Sequence, residues 1–195
     1  MKPEVHPIEE ESFRRLAERI DLSHLPPFTR AVVGRVIHAT ADLSFAETMV
    51  VDEVAAEAGA RALASDAPVI TDVEMVRAGI AGGRCYLAEA RAETSRPHGL
   101  TLTARAMELA AAAHREGAIF AIGCAPTALE QLVTLVERGE VRPALVVGVP
   151  VGFVGASEAK ERLRSSTRIP SISNLGERGG SAVAAAIVNA LGRMA

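Results

Sequence analysis

The residues best suited to acid–base chemistry lie in GRVIHATADL, residues 34–43. His38 follows an apolar run in a segment with the pattern of a helix. At about 100° per residue, one stripe of such a helix is formed by Val32, Val33, Val36 and Ile37. Arg35, His38 and Asp42 fall on the opposite side. A histidine there can exchange protons near neutral pH, with its pKa lowered by Arg35 and raised by Asp42. Spacing alone leaves two interpretations open, a solvent-exposed histidine and a catalytic one.

A second group of candidates, Asp72 and Glu74, follows the apolar stretch PVIT. Two carboxylates this close together can serve general acid–base catalysis. Asp72 is also a suitable N-cap for a short helix that ends at Gly79, and this structural interpretation is favoured over the catalytic one.

Several other classes of protein find little support in the sequence. The net charge of −3 shows no basic excess for nucleic acid. Dinucleotide, P-loop and serine-hydrolase motifs are missing, and the five histidines lack metal-ligand spacing. The sequence shows neither a secretory signal nor a membrane-spanning stretch, and Cys85 and Cys124 are predicted to be buried thiols. We therefore expect a cytoplasmic protein with no metal, nucleic-acid or membrane partner.

The order of predicted elements indicates the fold class. Helices are predicted at 7–20, from Pro27 to about Thr40, and from about Asp52 to Ser65. Beyond them, strands at 68–71, 85–88, 117–123, 144–150 and 170–173 alternate with helices near 100–115, 127–138, 157–165 and 180–192. This alternation predicts an α/β fold: a doubly wound, mostly parallel five-stranded sheet with helices on both faces and an N-terminal helical layer. With no linker or repeat among 195 residues, one domain over 1–195 is expected.

Three loops rich in small residues follow predicted strands: GCAPT (123–127), GVPVGFVGAS (148–157) and NLGERGGS (174–181). Ligands of doubly wound sheets bind at this edge. Pro126 and Ser157 are expected in first turns or caps of helices there, and helix N-termini attract carboxylates and phosphates. Ordinary tight turns have the same composition, but three such loops together favour a binding face.

Six stretches in a fixed order resemble the precorrin-8X methylmutase family of cobalamin biosynthesis. They are ESF, GRVIHA, APVITDVEMVRAGI, AIGCAPTALEQL, GVPVGFVGASEAKERL and GERGGSAVAAAIVNAL, and the likeness runs from about residue 6 to the C-terminus. The resemblance implies a homodimeric isomerase that needs no cofactor. Its tetrapyrrole substrate is precorrin-8X or cobalt-precorrin-8, in which a methyl group moves from carbon eleven to carbon twelve. The corrin product is hydrogenobyrinate or cobyrinate.

The resemblance also implies residue roles. His38 ends the family's R-x-x-H motif and would donate the proton, and Arg35 and Ser12 would contact the substrate. A runner-up interpretation is a non-catalytic tetrapyrrole carrier of the same pathway, and a third is a nucleotide-binding module.

Two positions depart from the family pattern. Cys124 stands where the family commonly has asparagine. The family also commonly has a Thr-Arg-Ser or Thr-Arg-Thr triplet near the start of the middle helix, and here Leu102 replaces its arginine. The missing arginine implies that one substrate contact is lost, or that Arg96 or Arg105 replaces it.

Overall fold

The protein is described here by a computed structural model that covers residues 6–83, 85–88 and 99–195. Its sheet is built from β1 (Met49–Val51), β2 (Val69–Thr71), β3 (Cys85–Leu87), β4 (Ile119–Ile122), β5 (Leu145–Gly148) and β6 (Ser171–Asn174). The strand order is β1-β6-β5-β4-β2-β3. All neighbouring strands are parallel except β1, which runs antiparallel to β6. The predicted doubly wound, mostly parallel sheet is therefore confirmed.

The sheet has six strands instead of the predicted five, because β1 was not recognised in the sequence. This strand has only three residues and lies at the edge of the sheet, directly after a single turn of helix. So short a segment shows no clear alternation of apolar and polar residues.

Apart from the single turn α3, which was not predicted, the helices of the described residues are close to their predicted positions. They are α1 (Pro7–Ala17), α2 (Pro27–Thr40), α3 (Phe45–Thr48), α4 (Glu53–Ala64), α5 (Glu74–Gly79), α6 (Leu102–Ala113), α7 (Pro126–Glu137), α8 (Ala156–Ser165) and α9 (Ser181–Met194). Asp52 caps α4 by accepting hydrogen bonds from the Val54 and Ala55 amides. No helix in the described part of the chain has the length and apolar character needed to cross a membrane.

Both faces of the sheet are covered by apolar packing. Ile119 and Ala121 of β4 belong to the cluster that includes α4 and α9, and Phe120 and Ile122 belong to the opposite cluster with α6 and α7. This explains the continuous apolar runs in the sequence, since parallel strands with helices on both sides have no solvent-facing side.

The N-terminal helices form an additional layer on the α9 side of the sheet. α2 packs mainly on α9, and its apolar stripe of Val32, Val33, Val36 and Ile37 is at most 3% exposed. α1 contacts the outer side of α2 and contains no fully buried residue. The face of α2 that carries His38 is therefore partly covered by a helix with little apolar anchoring.

Candidate active site

His38 lies near the end of α2, on the side away from the buried valines, as the helical pattern predicts. Its Nδ1 is 2.8 Å from Ser12 Oγ of α1. The Phe13 ring stacks on the imidazole, with 4.9 Å between ring centroids and 10° between the ring planes. These two contacts hold the ring by its Nδ1 side and by one face, so His38 is a part-buried, oriented histidine and not a freely exposed one.

The surroundings of His38 lower its pKa below the ordinary value for histidine. Burial is the main cause, the positive charge of Arg35 adds to it, and the carboxylate of Glu9 opposes it. Asp42, which we expected to raise this pKa, is directed elsewhere: its carboxylate bonds Ser44 and lies 2.6 Å from Arg178. The protonated His38 is consequently a stronger acid than an ordinary imidazolium.

His38 lines a cavity of about 430 Å³ between α1 and the end of α2. This size is within the range of about 300–1,000 Å³ that is usual for small-molecule sites. Ser12 and Arg15 of α1 line it too, as does Arg19, which lies two residues after the end of that helix. Arg15 bonds Glu11, whereas Arg19 forms no ion pair with any described residue. The cavity therefore combines an oriented histidine with an arginine that is unpaired among the described residues.

Arg35 does not line the His38 cavity. It lines a second cavity of about 530 Å³ on the other side of α1, and its guanidinium bonds the Glu9 carboxylate. The structure thus brings Ser12 and His38 into contact but directs Arg35 away from them, although Arg35 and His38 lie one helical turn apart.

Asp72 has a different partner from the one predicted. The short helix α5 begins at Glu74 with Val73 as its N-cap, so the prediction that Asp72 caps it is wrong. The buried Asp72 carboxylate accepts hydrogen bonds from the amides of Gly123 (3.1 Å), Cys124 (2.8 Å) and Ala125 (2.7 Å). Asp72 thus fixes the loop that leads into α7, while the exposed Glu74 bonds Arg77. The two carboxylates therefore do not form an acid–base pair.

The three small-residue loops contact one another at the carboxyl ends of β4, β5 and β6. The Gly152 amide donates to Glu177 O (3.1 Å), and the Gly180 amide donates to Val149 O (2.9 Å). Gly179 has a φ of +153°, and an added Cβ there would lie 2.2 Å from Val149 O, so only glycine fits. Pro126 and Ser157 lie in the first turns of α7 and α8, as expected.

One of these helix N-termini is already occupied by a protein carboxylate. Asp72 bonds the amides that precede α7, whereas the N-cap residues of α8 and α9 are Gly155 and Gly180, and neither helix has a side-chain cap. Phe153 and Val154, at the tip of the second loop, are 90% and 87% exposed. An apolar pair therefore projects from this edge of the sheet.

The positions that depart from the family pattern are on the surface. Cys124 is exposed and Cys85 is half-buried, so the prediction that both thiols are buried is wrong. Leu102 is half-exposed at the start of α6. Of the arginines considered as replacements, Arg105 bonds Glu108 and lies on α6, on the opposite side of the sheet from α2. Arg96 lies outside the described residues.

Lys160 of α8 is a feature of this region that sequence reasoning missed. Its side chain is fully buried, and its Nζ donates to Arg178 O (2.6 Å) and Asn174 Oδ1 (3.3 Å) in the third loop. Burial and the nearby Arg164 lower the pKa of Lys160 to about 8. The lysine holds the loop whose Arg178 side chain reaches Asp42 at the end of α2. No signal in the sequence distinguishes it from an exposed lysine.

Comparisons with known proteins agree on one family. A family model described as precorrin-8X methylmutase matches residues 7–194. A cobalt-precorrin-8 methylmutase of Methanothermobacter thermautotrophicus is 43% identical over 173 residues, which are 88% of this chain and 83% of that protein. A precorrin-8X methylmutase of Pseudomonas aeruginosa is 38% identical over 191 residues, 93% of this chain and 91% of that protein. The crystal structure of a precorrin-8X methylmutase from Thermus thermophilus superposes with a TM-score of 0.86 and 35% identity, covering 97% of each chain.

Proposed function

We propose, from the premise that this chain belongs to the precorrin-8X methylmutase family, that His38 donates the proton that starts the isomerisation. The chain is an isomerase of cobalamin biosynthesis. The methyl group would move from carbon eleven to carbon twelve of the tetrapyrrole. The observation that carries the proposal is the oriented, part-buried His38 in a cavity of small-molecule size. The carrier interpretation explains the family membership less well, because relatives across this family are named as mutases.

Protonation is a sufficient form of activation for this reaction. A proton added to the conjugated macrocycle makes the ring electron-poor, which lowers the barrier for the methyl group to move with its bonding electrons to the adjacent carbon. Because substrate and product are isomers, one proton must leave the macrocycle again. A histidine can both give and take back a proton near neutral pH.

Ser12 would orient His38 throughout the proton transfer. In the protonated ring, Nδ1–H donates to Ser12 Oγ, and Nε2–H is left to face the cavity. After Nε2 gives up its proton, the neutral ring keeps Nδ1–H and the same hydrogen bond. This role differs from the direct substrate contact that the resemblance implies for Ser12, although the hydroxyl proton remains able to bond the substrate as well.

The carboxylates of the tetrapyrrole would be held by arginines that line the two cavities beside α1. Arg19 lines the His38 cavity without an ion-pair partner among the described residues. An arginine binds a carboxylate through two parallel hydrogen bonds. Arg35, which the resemblance presents as a substrate contact, would reach the substrate from the second cavity.

A second copy of the chain would complete the enzyme as a homodimer. The resemblance implies this assembly, and the exposed apolar pair Phe153 and Val154 supports a contact with another surface. We also propose that the enzyme acts in the cytoplasm, since both of its cysteines, Cys85 and Cys124, are free thiols.

Titration with the corrin product tests where the tetrapyrrole binds. Purified protein mixed with hydrogenobyrinate is expected to form a stoichiometric coloured complex, detected by its visible absorption spectrum. Arg19→Gln should weaken this complex by about five- to tenfold, because one charge-assisted contact is lost. Arg61→Gln is the matched control, since Arg61 is an exposed arginine of α4 that bonds Glu57. Equal affinities for the Arg19 and Arg61 variants would contradict this location of the site.

A further inference from the structure

We infer that Glu9 is a positioning residue of the reaction, which fixes Arg35 and offsets the positive charge of two arginines beside His38. The inference rests on the proposed function, because it takes His38 to be the proton donor. Glu9 belongs to α1, whereas the arginines it contacts, Arg35 and Arg193, belong to α2 and α9. One carboxylate therefore joins three helices around the candidate site.

The contacts of Glu9 are close and part-buried. Its Oε1 accepts hydrogen bonds from Arg35 and from Arg193 Nη1 (2.7 Å), and Arg193 Nη2 lies 3.3 Å from Oε2. The side chains of Glu9 and Arg35 are only 18% and 20% exposed. The hydrogen bond from Arg193, aided by that from Arg35, lowers the pKa of Glu9 against the opposing effect of burial. Glu9 is thus an anion at neutral pH.

Glu9 helps to hold α1 against its neighbouring helices, because α1 has no fully buried residue of its own. Its described polar contacts with α2 and α9 are those of Glu9 together with the hydrogen bond between Ser12 and His38. Since Ser12 and Phe13 follow Glu9 by about one turn, the Glu9 contacts also determine where these two residues meet the imidazole.

The charges around His38 show what the loss of Glu9 would do. Burial is the largest cause of the lowered His38 pKa; Arg35 and Arg193 lower it further and Glu9 raises it. The other charged groups that face the imidazole across its cavity are Glu11, Arg15 and Arg19. Asp42, just beyond the end of α2, is held by Arg178. Without Glu9, the guanidinium groups of Arg35 and Arg193 would lose the carboxylate that they share, and their positive charge would act on His38 without that offset.

The test is Glu9→Gln, which keeps the shape of the side chain and removes its charge. We expect the His38 pKa, followed by NMR titration of its ring signals, to fall below that of the unaltered protein. The alkaline decline of kcat/KM should move to lower pH with it. The value of kcat/KM should therefore fall by about three- to tenfold at alkaline pH, and this difference should become smaller toward acidic pH. Glu10→Gln, on the exposed side of the same helix, should change neither quantity.

A second substitution keeps the proposal falsifiable if Glu9→Gln disturbs the docking of α1. Arg193→Gln removes a half-exposed partner near the end of α9 and is expected to raise the His38 pKa. The double variant Glu9→Gln/Arg193→Gln should recover part of the decrease caused by Glu9→Gln. If Glu9 had only a structural role, the double variant would instead lose more activity than Glu9→Gln alone.

The outcomes separate this inference from the proposed function. An unchanged His38 titration in Glu9→Gln, or an activity loss equal at all pH values, would overturn the role of Glu9. A lowered His38 pKa with an unmoved pH profile of kcat/KM would support the electrostatic coupling of Glu9 and overturn His38 as the proton donor.

Discussion

Replacement of His38 by alanine is expected to lower kcat by about 10²- to 10⁴-fold, the contribution of a general acid, while the protein stays folded and still binds product. The imidazole is the group that would protonate the macrocycle, and its Nδ1 is already engaged by Ser12. Alanine leaves α2 intact, because His38 lies outside the apolar stripe that packs on α9. The measurement is the single-turnover conversion of precorrin-8X, followed by the appearance of the corrin spectrum.

The matched control for this substitution is His24→Ala. His24 is an exposed histidine between α1 and α2, so its loss should leave turnover unchanged. Binding of hydrogenobyrinate by the His38 variant shows that its site is intact. Full turnover by His38→Ala would remove His38 from the mechanism, and a loss of product binding would indicate a structural role.

Replacement of Asp72 by alanine is expected to produce the largest loss of stability among the substitutions considered. Three backbone amides, one buried and two part-buried, would lose their charged acceptor in the loop between β4 and α7. A buried donor without an acceptor costs about 1–3 kcal/mol, so the free energy of unfolding should fall by about 3 kcal/mol or more. Urea unfolding measures the change, with equal slopes required for the comparison.

Asp52→Ala serves as the control for Asp72→Ala. Asp52 also bonds backbone amides, those of Val54 and Ala55, but it does so as an exposed N-cap of α4. Water can replace it, and such a cap contributes about 1 kcal/mol. If Asp72→Ala destabilises the protein no more than Asp52→Ala does, then the three hydrogen bonds of Asp72 do not stabilise the loop as described.

The same two aspartates show which interactions sequence reasoning can find. Asp52 caps the helix that directly follows it, so its role lies within a few residues of sequence. Asp72 bonds amides more than fifty residues away. That pairing exists only because β2 and β4 are neighbours in the sheet, and the local pattern gave no sign of this. The same limit applies to Glu9, which meets Arg35 and Arg193 from a distant part of the chain.

The helical pattern around His38 was informative but incomplete. It placed His38 and Arg35 on the side of α2 away from the valines, which is where the structure has them. It could not show that α1 covers this side, or that α1 separates the two side chains into different cavities. The direction of the His38 pKa shift therefore depended on burial under α1, which tertiary packing alone determines.

The pH dependence of kcat/KM for the unaltered enzyme tests the role of His38 most directly, because this ratio reports the ionisation of groups in the free enzyme. A proton donor must carry its proton, so the rate should fall about tenfold per pH unit above the His38 pKa. This decline should coincide with the NMR titration of His38 and lie below the usual pKa of histidine. A rate that stays constant while His38 loses its proton would contradict the account.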